Sequence, residues 1–192
     1  MKKVLLPGIL GGLVVFIWSA IAHMVLPIGE MGLKTIPQNE DAVLSAVKSN
    51  IQEPGLYFMP GMEMGKKPTE VEQNAWQAKY EAGPTALLIY HPTGQKVMSP
   101  GQLLRQLLFD VLGGLIAAFI VSMTVATFGL RTVMVTLMGL FAWLTVSVPH
   151  WNWYRFPSAF TFGEGLDGVI GWLLGGLVIA WLIQRAEKRA AA

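Results

Sequence analysis

The chain has 192 residues, 53% of them hydrophobic and 14% charged, with a formal net charge of +2. Soluble domains carry about 25% charged residues, so this composition excludes an ordinary soluble globule. So small a charge, with no basic cluster among aromatics, excludes a nucleic-acid surface, and the absence of Cys excludes thiol catalysis, disulfides and Cys-ligated metals.

A mean hydropathy of +0.50 with 21 Gly and 7 Trp points to membrane helices, where Gly and interfacial Trp are frequent. The first apolar run, residues 4–26, follows Lys2 and Lys3. It exceeds the roughly 7–15 residues of a signal-peptide core, and at ~1.5 Å per residue it crosses a ~30 Å hydrocarbon layer. A retained transmembrane helix is expected. Three more spans are expected over residues 103–128, 132–149 and 165–184. Gly129-Leu130-Arg131 is expected to be the tight turn between the second and third, with Arg131 facing water. Residues 150–164 then form an aromatic loop and residues 185–192 a cytoplasmic tail. Four spans put both termini and the Arg131 turn on one side. Lys2, Lys3, Arg131, Arg185, Lys188 and Arg189 gather there, so the positive-inside rule makes that side the cytoplasm, with Arg155 in weak opposition.

Residues 27–102 read as a small extracytoplasmic module. Asn39 is placed to cap a helix through Asn50, with Glu40 and Asp41 in its first turn. Ala42, Val43, Ala46 and Val47 share one face of it. Thr69 with Glu72 fits a capping box, opening a helix through Ala82 that Gly83-Pro84 ends. Residues 56–59 and 86–90 are strand-like runs bounded by Pro and Gly. The expected fold is an all-α transmembrane four-helix bundle, N-in and C-in, with a small α+β domain inserted between helices 1 and 2.

Lipid gives helices no hydrophobic drive to associate, so close packing needs small residues at the seams. Gly8 and Gly12, then Gly114, Ala118 and Ser122, then Gly171 and Gly175 repeat every four residues. They serve packing inside the bundle or a face reserved for another subunit, and the spacing does not separate the two.

Asp110 is the most informative single residue, because an ionised carboxylate inside a span is costly unless paired or hydrated. Either it is functional, or it lies near the interface and pairs with Arg105, Arg155 or backbone donors. His23 and His150 end the first and third spans, and Glu164 and Asp167 begin the fourth at the same level. Asp110, His23, His150, Arg155 and Asp167 therefore form one candidate polar cluster, sealing the bundle mouth or binding a ligand. A His pair can ligate haem, chlorophyll or a metal, although no haem-attachment spacing occurs, and no metal site is assigned. His91 reads as a turn residue. Trp151, Trp153, Tyr154 and Phe156 make the most unusual local composition, which an aromatic belt at the lipid headgroups explains. A docking surface for a partner or lipid is the alternative. No nucleophile elbow, metalloprotease helix or phosphate loop is present, so no catalytic residue is assigned and no enzyme is expected.

The pattern of Pro37-Gln38-Asn39-Glu40-Asp41-Ala42-Val43, Gly55-Leu56-Tyr57-Phe58-Met59-Pro60, Gly83-Pro84, residues 151–157 and the run from Asp167 to Gly176 resembles a group of uncharacterised bacterial four-helix integral membrane proteins with a periplasmic loop domain. The likeness covers nearly the whole chain. It implies the bacterial cytoplasmic (inner) membrane and a periplasmic loop domain, and it carries over no activity or ligand. The leading functional expectation is a non-enzymatic accessory or scaffold subunit, in contact with membrane lipid and other membrane subunits. The alternatives are a small transporter or proton/ion pathway using Asp110, and a haem- or pigment-binding subunit using His23 and His150.

Overall fold

The computed structural model of the protein describes residues 2–63 and 65–191. The side chains of Lys2 and Lys3, which count towards the orientation above, lie outside what is described. In chain order the elements are α1 (Lys2–Met24), α2 (Glu40–Asn50), β1 (Gly55–Met59), α3 (Glu70–Ala82), β2 (Ala86–Tyr90), α4 (Pro100–Ser122), α5 (Phe128–Tyr154) and α6 (Ser158–Ala191). They divide into two compact units, Met1–Lys34 with Met98–Ala192, and Thr35–Val97.

The first unit holds α1, α4, α5 and α6. All four are long and apolar enough to cross a membrane, which makes this a multi-pass membrane architecture. The α1 helix lies between α4 and α6, and α6 lies between α1 and α5; the outer helices α4 and α5 touch each other little. Neighbours run antiparallel: Gly8 meets Leu115 while Gly12 meets Val111, and Gly11 meets Ile179 while Trp18 meets Gly171. Gly12 and Gly114 sit so close that a Cβ on either would strike the other helix's backbone. Small-residue spacing thus produces backbone contact, where dispersion replaces the missing hydrophobic drive. On the α6 side, Gly175 lies against Val15 and Gly11, and Gly171 against Trp18. Ala118, Val121, Val135, Ile179 and Ile183 are fully buried where α4, α5 and α6 converge.

The spans begin and end where side chains can satisfy backbone groups. Ser99 Oγ accepts from the Gln102 amide while Gln102 Oε1 accepts from the Ser99 amide at 2.9 Å, a capping box with Pro100 in the first turn. The α4–α5 connection is residues 123–127, not the expected Gly129-Leu130-Arg131, because Thr127 Oγ1 accepts from the Leu130 amide and starts the helix earlier. Hydropathy hides this turn, since most of the connection is itself apolar. Most of the expected 150–164 loop is also helical: α5 continues through Tyr154, Arg155 closes it in the left-handed conformation (φ 59°), and α6 starts at Ser158. At ~1.5 Å per residue α6 is about 50 Å long, more than a ~30 Å hydrocarbon layer requires. The Arg185 guanidinium lies 5.3 Å above the Trp181 ring, as expected where a cation snorkels past an interfacial indole.

Arg131 does not face water. It is 2% exposed inside the second turn of α5. Its guanidinium forms a bidentate pair with Glu187 of α6, Nη1 to Oε2 at 2.8 Å and Nη2 to Oε1 at 2.9 Å. Nη2 also donates to the Thr124 carbonyl at 3.0 Å, tying the α4–α5 connection to the end of α6. The planar fork suits this task and Lys would not.

The second unit is small and thinly packed. The β1 and β2 strands pair antiparallel, Gly55 opposite Tyr90 through Met59 opposite Ala86, with α3 connecting them. Phe58, Tyr80 and Trp76 stack in series, with centroids 5.9 and 5.3 Å apart, and the Trp76 indole donates to the Pro60 carbonyl at 3.0 Å. No residue of α2 or α3 is buried, so the apolar face of α2 finds no core. Asn39 precedes α2 in the left-handed conformation (φ 56°), and its side chain makes no cap. The capping box at α3 does form: Glu72 Oε2 accepts from the Thr69 amide and hydroxyl, both at 2.8 Å.

Thr69 holds the Glu72 carboxyl below its ordinary pKa, first through the backbone amide and then through the hydroxyl. A depressed carboxylate stabilises above its unfolded pKa, and that contribution is lost as pH falls through the folded value. The start of α3 should therefore fray as pH falls below the ordinary Glu pKa of about 4.3. Amide shifts of residues 69–72 in the full chain read this directly. Glu72→Gln should remove the pH step, and a step of unchanged size would refute the assignment. Glu187→Gln, leaving the buried Arg131 without its counter-charge, should cost roughly 3 kcal/mol. That is the lower end for a buried pair, because the Glu187 side chain is 35% exposed. The double change Arg131→Met with Glu187→Met should melt above the single variant. A Glu187→Gln protein melting with its parent in detergent would contradict the pairing.

Candidate functional site

The antiparallel arrangement gathers the C-terminal end of α1, the start of α4, the end of α5 and the start of α6 at one end of the bundle. A cavity of about 390 Å³ opens there between α1, α5 and α6. The turn after α1 roofs it through Ile28, Gly29 and Met31. Close contacts hold this roof down: Gly29 rests on the His23 ring, Gly163 on Met31, and Gly32 on the Phe160 backbone. Gly32 also has φ 77°, a conformation other residues adopt at a cost. Trp143, Trp172 and Phe160 give the walls their apolar surface, with Gly139 admitting the Trp172 indole. The Trp143 indole donates to the Thr161 carbonyl at 2.7 Å, which fixes its ring.

The polar lining comes from His23, Ser147, Glu164 and Asp167. Asp167 lies one turn after Glu164 on α6, so both carboxylates belong to one helix face. The Trp18 indole donates to the Asp167 backbone carbonyl at 3.0 Å, locking α6 against α1 at this level. Asp167 Oδ2 faces His23 Nδ1 at 3.8 Å, and Ser19 stands beside the same carboxylate. The His23 Nδ1 hydrogen goes to the Ser19 carbonyl at 3.0 Å, so the imidazole gives Asp167 a nearby ring without a direct hydrogen bond. Asp167 Oδ1 is buried and, among the described residues, has no hydrogen-bond partner of its own, although Trp18 and Ser19 stand beside the carboxyl group. A buried acceptor without a partner is uncommon, and here it belongs to a charged group.

Asp110 occupies a different position from Asp167. Its backbone lies against Gly12, twelve residues before Met24, or about 18 Å along α1. Neither Arg105 nor Arg155 pairs with it; Gln106 Nε2 donates to both of its oxygens, at 3.1 and 3.2 Å. Asp167 is close enough to repel it electrostatically.

The remaining candidates are placed apart from this group. The His150 ring stacks on Phe156 at 5.4 Å and tilts against Tyr154 at 5.9 Å, whereas His23 is engaged with Ser19 and Asp167. The two rings belong to separate environments. Arg155, Trp151, Trp153 and Tyr154 are exposed at the end of α5, and the Trp151 indole donates to Ser158 Oγ at 3.0 Å across the turn. Among the described residues no group of three or more His, Asp or Glu is arranged to hold a metal ion. Sequence reasoning passed over Ser147, Trp143, Trp172 and the Ile28–Met31 roof. The available signals were the Gly29 and Gly32 pair after the first span and the Glu164, Asp167 spacing. Comparison with protein-family models, characterised proteins and solved structures finds no match for this chain.

Proposed function

We propose that the chain is a non-enzymatic accessory or scaffold subunit of a larger complex in the bacterial cytoplasmic membrane. Both termini face the cytoplasm and residues 27–102 face the periplasm in this reading. Lys2, Lys3, Arg185, Lys188 and Arg189 support the orientation; Arg131 contributes less, being neutralised by Glu187.

Asp110 carries the functional reading. It is a half-buried carboxylate deep in a span on an outer helix, and among the described residues Gln106 is its hydrogen-bond partner. Intramembrane acids pair with a group that offsets their charge. A helix of another subunit bearing a basic or donor side chain at that depth meets this need. The second reading, a proton or ion pathway, draws on the succession Asp110, Asp167, His23. It is the weaker of the two, because Val135, Ile179 and Ile183 pack without exposure towards the other end and Arg131 with Glu187 closes it.

Gentle extraction from the native membrane followed by native mass spectrometry tests the leading reading. The parent chain should travel with further membrane subunits, and Asp110→Asn should lower their recovery by about tenfold, the effect of ~1.4 kcal/mol. A parent chain that travels alone, or an Asp110→Asn chain that keeps its full complement, would overturn it.

A further inference from the structure

We infer that the cavity between α1, α5 and α6 binds a protonated amine carried on an apolar body, with Asp167 as its counter-ion. The inference concerns this cavity and not the Asp110 face, so it stands or falls apart from the accessory reading. At about 390 Å³ the cavity falls within the size range of small-molecule sites. Its make-up is also theirs: aromatic walls with few polar groups at one side. Trp143, Trp172 and Phe160 supply the walls, and indole faces favour a cation near them.

The charge decides the class of ligand. Asp167 and Glu164 both line the cavity, and among the described residues His23 is the one basic side chain that does so. His23 stands 3.8 Å from Asp167 and gives its Nδ1 hydrogen to the Ser19 carbonyl, so it makes no hydrogen bond to the carboxylate and pairs with it only when protonated. Among the described residues Asp167 Oδ1 has no donor, and the side chain, 20% exposed, is part of the cavity lining. A partly desolvated carboxylate of this kind favours a cation with N–H donors over a neutral molecule. An anion meets two carboxylates and is disfavoured. The same ammonium chemistry is available from a free lipophilic amine or from an ethanolamine headgroup; the two carboxylates oppose the latter's phosphate.

The test uses the full chain in detergent near neutral pH, titrated calorimetrically with 2-phenylethylammonium and with 3-phenylpropan-1-ol, a neutral molecule with a similar body. The ammonium should bind saturably, and the alcohol at least about tenfold more weakly. Asp167→Asn should weaken the ammonium by about tenfold and leave the alcohol unchanged. Equal binding of the two probes, or no binding of either, overturns the inference without recourse to any variant. So does an Asp167→Asn chain with the parent's melting temperature and the parent's ammonium affinity. Repeating the titration in phosphatidylcholine nanodiscs with and without phosphatidylethanolamine distinguishes the sources. Competition by the ethanolamine lipid supports an ammonium site filled from the membrane, and lack of competition supports one filled by a free amine.

Discussion

The transmembrane unit depends on how closely the α1 backbone lies against its two neighbours. Gly8 and Gly12 admit α4 on one side, and Gly11 meets Gly175 of α6 on the other. In lipid, where apolar side chains gain nothing by leaving the solvent, such approach is the main source of helix affinity. A side chain at Gly12 or Gly114 would push into backbone, which cannot move aside as a side chain can.

This central placement of α1 has consequences at both ends. The outer helices α4 and α5 meet little, and the short residue 123–127 connection joins them at one end of the bundle. At that end, Arg131 gathers the connection and the end of α6 around one guanidinium. At the other end, the turn after α1 folds back over α5 and α6 and roofs a cavity holding Asp167, Glu164 and His23. Dry aliphatic packing separates the two ends. The arrangement is that of a bundle with one polar mouth.

Much of this was legible in the sequence. The four spans announced themselves through length and hydropathy, the glycine spacing through its period of four, and α3 through Thr69 and Glu72. Boundaries were less visible where apolar composition and chain direction disagree. Met123, Val125 and Ala126 read as span residues, yet Thr127 caps α5 and the chain turns before it. The aromatic residues after His150 read as a loop because Trp and Tyr favour interfaces, yet they continue a helix until Arg155 turns left-handed. Arg131 read as a turn marker because its partner, Glu187, is 56 residues away. The same limit hid the cavity, whose walls come from three helices and a turn distant in sequence. Local signals specify elements; which polar side chains meet depends on packing that no local pattern records.

The most direct test of the packing is a cross-link between α1 and α6. The chain has no Cys, so an introduced pair gives an unambiguous signal. A Cβ at position 175 would lie 2.8 Å from a Val15 methyl, which puts the two Cβ atoms near the ~3.5–4.5 Å that a disulfide needs. Val15→Cys combined with Gly175→Cys should therefore oxidise readily to an intramolecular disulfide in intact membranes. Two cysteines that stay reduced under oxidant, yet label fully once the protein is unfolded, would contradict the placement of α1 against α6.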